Sequence, residues 1–343
     1  MRVLGAGLVV IGALAAGCGG AGTDTTVAKP KVDTAAATRQ AKAAKVAAAA
    51  KVKANELGQI PVIMFHRVVD KPTTQDDRTP AQFRADLERL AKDGYVPVSA
   101  AEYTTGKIDI PAGKHAVVLT FDDSSPSQLT LDELGQPKQG TAVQILQDVA
   151  KRNPGFRAAA TFYVTGDMFG KTAPEEQAQM MLWLKQNGFD IGNHTRDHHS
   201  LSGKPQKAVA DEIAAGQKLV TELDGAPPVT LALPYGNQPR KKDWARSGKS
   251  GDVAYNHAGV FLAGYTPAPA PFNKNFDPLG IPRIRAMDKK GDCAQFCSTA
   301  WLDWLNQNAD QRYTSDGDPT TVAYPKFKAP FLRKDFAARA LPY

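Results

Sequence analysis

Ala116-Val117-Val118-Leu119-Thr120-Phe121-Asp122-Asp123 is the stretch on which the reading of the fold turns. Six apolar or β-branched residues in a row read as a buried strand, and the strand stops abruptly at two carboxylates. Working outward, the same texture recurs. Ile60-Pro61-Val62-Ile63-Met64-Phe65 is a second apolar run, ending in His66. Between the two, residues 83, 87 and 90 fall at helical spacing, with Thr79-Pro80 as N-cap and first position of a helix over 80–93. Downstream, helical patterns over 141–152, 174–187 and 205–224 alternate with strands over 158–164, 189–191 and 229–233. An apolar stretch at 259–263 and a strand at 280–284 follow, then a last helical pattern over 293–308. Strands alternating with helices argue for a parallel sheet with helices outside it, and seven or eight such units closed on themselves make a barrel.

Barrel and doubly wound folds hold their reactive side chains at the C-terminal ends of strands. Here those ends carry His66, Asp122-Asp123, Gly192-Asn193-His194 with His198 four residues on, and Pro234-Tyr235-Gly236. Two imidazoles four apart and one carboxylate suit a divalent transition metal with open coordination positions. Two adjacent carboxylates repel each other unless one binds the metal and the other stays free as a base.

These residues carry a resemblance. Thr120-Phe121-Asp122-Asp123, His194-Thr195-Arg196-Asp197-His198 and Leu233-Pro234-Tyr235-Gly236 resemble, in order, three signatures of the polysaccharide deacetylases with a NodB-like domain, carbohydrate esterase family 4. Residues 160–164, 187–193 and 281–284 resemble supporting pieces of the same pattern, so the likeness spans about 60–287. The resemblance implies a distorted (β/α)7 barrel. It implies Asp122 as catalytic base and Asp123, His194 and His198 as ligands of one divalent ion, Zn²⁺ by preference, with Co²⁺, Ni²⁺ or Fe²⁺ as alternatives. It also implies that the backbone N–H of Tyr235 steadies the oxyanion. The expected reaction is removal of N-acetyl groups from an extracellular polymer containing N-acetylglucosamine, either peptidoglycan or poly-N-acetylglucosamine.

Three departures qualify that expectation. Ala232 stands where the third signature has an Arg that orients the base, so the pose of Asp122 is expected to be less constrained. Ser124 replaces a Gly. The late Leu-x-His that supplies the usual acid is missing, with Arg283-Ile284-Arg285-Ala286-Met287 in its region. His66 is the candidate replacement acid, and His199 and His257 are read as structural. A non-catalytic glycan binder with a vestigial site, and an O-deacetylase of xylan type, stay open as alternatives. Groove residues are expected in the loops 124–140 and 263–278.

Of the chain's formal charge of +7, residues 1–53 hold +6, from six Lys and two Arg against two Asp. The remainder is nearly neutral, which argues against a nucleic-acid partner. Hydrophobic content of 42% and charged content of 22% are ordinary for a globular protein. Arg2 and the apolar run 3–16 describe an export signal too short to span a bilayer. Cys18, after Ala15-Ala16-Gly17, resembles a bacterial lipobox. The expectation is an extracytoplasmic chain, lipid-anchored through Cys18, with plain secretion as the alternative. Cys293 and Cys297 are then expected to form a disulfide. The boundaries read as signal 1–17, lipidated Cys and Ala/Lys-rich linker 18–57, NodB-like domain 58–290, and a C-terminal extension 291–343 packing on it. The Asp- and Gly-bearing stretch 312–319 reads as a turn, and the protein is expected to act as a monomer.

Overall fold

Seven short parallel strands carry the fold in the computed structural model, which describes residues 34–291 and 294–343. They are β1 (Val62–Phe65), β2 (His115–Phe121), β3 (Thr161–Val164), β4 (Asp190–Asn193), β5 (Thr230–Ala232), β6 (Gly259–Phe261) and β7 (Ile284–Arg285). Hydrogen bonding orders them β6-β5-β4-β3-β2-β1-β7. The two edges meet, because Phe261 of β6 pairs in parallel with Ile281, on the segment that runs into β7. Closure through one bridge and a two-residue strand makes the barrel distorted, as expected for the NodB type.

Alternation along the strands explains why both faces are apolar. Ile63, Phe65, Val117, Leu119, Phe121 and Phe162 point out to the helix layer. Val62, Ala116, Val118, Tyr163, Ala232 and Phe261 fill the interior. The outer layer comprises α2 (Pro80–Lys92), α3 (Ala142–Arg152), α4 (Pro174–Gln186) and α5 (Gln206–Asp224), with α1 (Thr34–Lys51) and α6 (Ser298–Gln307) nearer the ends of the chain. The start of α2 is fixed as its sequence suggests. Thr79 and Gln82 form a reciprocal capping box around Pro80, an arrangement worth about 1 kcal/mol.

Two features escape a local reading. Tyr95–Val98 is a strand paired with the first half of β2; Pro97 inside it removes a donor and masks the strand signal. The other is that residues 42–57, the last part of the segment read as a linker, group with the compact body. Ala49 and Ala54 are buried with Ala323 and Leu341. Glu56 is buried too, accepting bonds from the Tyr313 hydroxyl (3.0 Å) and the Ala323 N–H (2.7 Å). Alanine is apolar enough to be buried but gives no periodic signal, and its partners lie more than 250 positions away.

In the stretch 312–319, Arg312 and Thr314 bridge to Gln59 and Asn55, and the chain turns only afterwards, where Asp316 Oδ1 accepts from the N–H of Asp318. The signal, Cys18 and Cys293 lie outside the described residues; Cys297 is buried just ahead of α6. Among the described residues no helix is long and apolar enough to cross a membrane.

Candidate active site

The C-terminal ends of the strands open into a cleft of about 470 Å³. His66, Asp122, Asp123, His194, His198 and Tyr235 all line it, so every site residue expected from the sequence converges on one place. The backbone there is strained. Among the described residues, seven non-glycine positions have positive φ, and five are at this rim: Asp123, Ser124, Thr195, His198 and Tyr235. Each costs on the order of 1–3 kcal/mol, and such strain survives only where the surroundings enforce it. Ser124 (φ 46°) occupies the place of the expected Gly. Its hydroxyl accepts the Thr165 N–H at 3.1 Å, which holds the unfavourable turn in place.

Asp123, His194 and His198 present one ligand atom each, all within 4.8 Å of one another. Asp123 Oδ1 is 3.3 Å from His194 Nε2 and 3.2 Å from His198 Nε2. Ligands set tetrahedrally at about 2.0–2.1 Å from a zinc ion lie about 3.3–3.4 Å apart, so the spacing fits a metal. Asp123 Oδ1 is moreover buried with no hydrogen-bond partner among the described residues, a state that costs free energy unless something positive faces it. His194 is oriented for the role. Its Nδ1 lies 2.8 Å from the Ala232 carbonyl, leaving Nε2 turned inward. Burial pulls the His194 pKa down, yet Asp122 and Asp123 pull harder and leave it raised, which marks a pocket that favours positive charge. His198 is lowered, first by burial and then by His194.

The turn that carries His194 is backed by α5. Asn193 Oδ1 accepts the Thr195 N–H at 2.8 Å, and Asn193 Nδ2 donates to the Ile213 carbonyl. A Cβ at Gly216 would come within 2.2 Å of Asn193 Oδ1 and 2.8 Å of the Thr195 backbone. Glycine there permits the close approach.

Asp122 corrects one expectation. With Ala232 in the third signature its pose was expected to be loose, yet Arg283 grips both its oxygens at 2.7 Å. Arg283 itself is fully buried, tied to the Leu262 carbonyl (2.7 Å) and the Thr120 hydroxyl (3.2 Å). The missing guanidinium is therefore supplied from the segment leading into β7, which the barrel closure brings beside β2. Burial pushes the Asp122 carboxyl up; Arg283, and after it His194, outweigh burial and hold it well below the usual carboxylate range. Asp122 is an ionised, oriented acceptor.

His66 lines the same cleft, with its Nδ1 buried and unpartnered among the described residues. Tyr235 lies against His198, ring centroids 4.7 Å apart. The structural reading of His257 agrees with its place: it is buried against Gln217 and the Ala245 carbonyl, and burial lowers it to about 4. His199 is at the surface beside Glu212. Of the loops expected to shape the groove, 263–278 contributes Ala263 and Tyr265, whereas 124–140 contributes nothing to the cleft lining. The segment 67–77 takes its place. Arg67 pairs with Asp77, and Arg285 with Asp76, both in two-pronged fashion. Charged residues in a loop give no sequence signal beyond solubility, and Arg285 lies 209 positions from Asp76, so these pairs have no sequence signature.

Residues 109–249 match the family model described as polysaccharide deacetylase. A peptidoglycan-N-acetylglucosamine deacetylase of Bacillus cereus is 24% identical over 157 residues, 46% of this chain and 50% of the relative. A peptidoglycan-N-acetylmuramic acid deacetylase of Bacillus subtilis, PdaC, is 27% identical over 42% of this chain and 26% of its own. The chain thus spans half or less of these relatives' length. Among solved structures, the Streptococcus pyogenes deacetylase PplD in complex with acetate superposes with a TM-score of 0.52 at 22% identity. The match covers 67% of this chain and 92% of that one. At such identity the likeness speaks for the fold.

Proposed function

We propose that this chain, whose residues 109–249 match the polysaccharide deacetylase family model, hydrolyses N-acetyl groups from an N-acetylglucosamine-containing polysaccharide outside the cytoplasm, with a divalent ion held by Asp123, His194 and His198. One observation carries the reading: a buried, Arg-gripped carboxylate stands beside a metal-spaced Asp-His-His triad in an open cleft. A divalent ion bound there would supply Lewis-acid polarisation of the acetyl carbonyl and lower the pKa of water. The chain's own residues do the rest. Asp122 accepts a proton from the attacking water, and Arg283 keeps that carboxylate ionised and aimed. The Tyr235 N–H donates to the oxygen that gains charge, a contribution worth about 10²–10³ in rate. His66 gives a proton to the departing sugar nitrogen, so that water and amide become acetate and amine.

Uncharged substrate suits the mouth of the cleft, where Arg67 and Arg285 are each already neutralised by an aspartate. The Bacillus cereus relative, a peptidoglycan-N-acetylglucosamine deacetylase, supports N-acetylglucosamine in a wall polymer as the class. The apolar run 3–16 and Cys18 support export and lipid anchoring. Acetate release from acetylated chito-oligosaccharides, poly-N-acetylglucosamine oligomers and peptidoglycan fragments tests the proposal, with Zn²⁺ or Co²⁺ added and Asp122→Asn as control. Release that stops in the control and on chelation is expected. No release by folded, metal-loaded protein would leave a glycan binder instead. The protein should retain α1, since a piece beginning at residue 54 would lose the buried contact of Ala49.

A further inference from the structure

An aromatic row runs out of the cleft onto the C-terminal segment. Tyr265, on the loop after β6, forms part of the cleft wall. Its ring meets Phe296 edge-to-face, centroids 6.1 Å apart. The Trp301 indole N–H donates to the Tyr265 carbonyl at 2.6 Å, which ties α6 to the same loop. Trp301 in turn packs edge-on against Trp304, at 5.6 Å. Trp301 also lines a second cavity of about 400 Å³ with Thr266, Pro267 and Pro282. Three of the four rings are held substantially in solvent: Tyr265 is 56% exposed, Phe296 45% and Trp304 36%.

Scattered exposed apolar residues need no explanation, but a contiguous row that begins in an active-site wall does. Large rings left open forgo the stabilisation that burial would bring. The surrounding charges indicate what covers them. Asp303, on the same helix as the two tryptophans, is already held by Arg89 at 2.6 Å, and Asp288 by Arg78 at 3.0 Å. The row is thus aromatic, and these two neighbouring aspartates already have cationic partners. A pyranose ring, with an apolar C–H face and a hydroxylated edge, suits such a surface.

We propose that Tyr265, Phe296, Trp301 and Trp304 form a stacking platform for sugar rings beyond the one being deacetylated, so that this chain selects polymer over short oligomer. The proposal deepens the deacetylase reading and rests on it for the identity of the cleft. It draws on residues beyond 249, outside the segment that matches the family.

The test is calorimetric binding to the purified full chain carrying Asp122→Asn, so that turnover does not intervene. Probes are dimers and hexamers of β-1,4- and β-1,6-linked N-acetylglucosamine, and anionic phospholipid vesicles. Phe296→Ala with Trp304→Ala is the variant pair; both side chains are solvent-accessible, and an unchanged thermal midpoint confirms the fold. The native surface should bind one hexamer at least tenfold more tightly than its dimer. The double variant should lose on the order of tenfold for the hexamer and little for the dimer, as expected for two aromatic contacts. Equal binding of hexamer and dimer, failure to bind either hexamer, or a length preference that survives in the variant would overturn the platform. So would vesicle binding that disappears in the variant, which would make the row a membrane-facing surface. Acetate release by the chain with Asp122 intact is read separately. Release without length preference removes the platform and leaves the deacetylase; length-dependent binding without release does the reverse.

Discussion

Replacing Arg283 by Met tests the central electrostatic claim. Arg283 and Asp122 are both buried, joined by two hydrogen bonds of 2.7 Å. Methionine fills much of the volume but leaves a carboxylate with no counter-charge and two acceptors, Thr120 Oγ1 and the Leu262 carbonyl, without their donor. Breaking a buried pair by removing one partner costs about 3–5 kcal/mol. The sign of the pH dependence follows. In the native chain the folded pKa of Asp122 lies below its unfolded value, so its contribution is present above about pH 4 and is lost as pH falls through the folded pKa. In the variant, burial acts unopposed and the folded pKa rises above the unfolded value. The deficit is therefore largest at neutral pH and narrows as pH drops towards 4, by about 1.4 kcal/mol for each unit over which only the folded carboxyl is protonated. Urea unfolding at several pH values reads the deficit, and the acid limb of kcat/KM for acetate release should move to higher pH. Adding Asp122→Asn should recover part of the loss, since the pair is then neutral. A deficit that is absent, or that does not vary with pH, would show that Arg283 does not hold the base.

Three further outcomes are expected. Gly216→Ala should destabilise the protein by about 1–3 kcal/mol, because its Cβ collides with Asn193 and the Thr195 backbone. The same change should weaken metal binding through the displaced His194, as read by zinc titration. Glu56→Gln should gain stability relative to the native chain as pH rises. Burial raises the native carboxyl from 4.5 to about 8, so its favourable contribution is complete below about 4.5 and is lost as pH climbs towards 8. Thermal midpoints that track in parallel from pH 5 to 8 would contradict this. His66→Gln should lower turnover by about 10²–10⁴ with little change in KM, and unchanged turnover would remove it as the acid.

Taken alone, the sequence determined the seven barrel strands, the helices between them and the convergence of His66, Asp122, Asp123, His194, His198 and Tyr235, because each signal is local. Apolar runs end in reactive residues, and a barrel gathers strand ends whatever the loops do. Thr79-Pro80 likewise announced the start of α2 within four residues. Only the tertiary structure decided which guanidinium faces the base. Arg283 lies 161 positions from Asp122, and the two meet because β7 closes the barrel beside β1. The packing of residues 42–57 on 322–341 and the aromatic row from Tyr265 to Trp304 have the same character. Each joins residues whose individual signals are weak, an alanine or a surface ring, across distances in sequence that only the closed fold makes short.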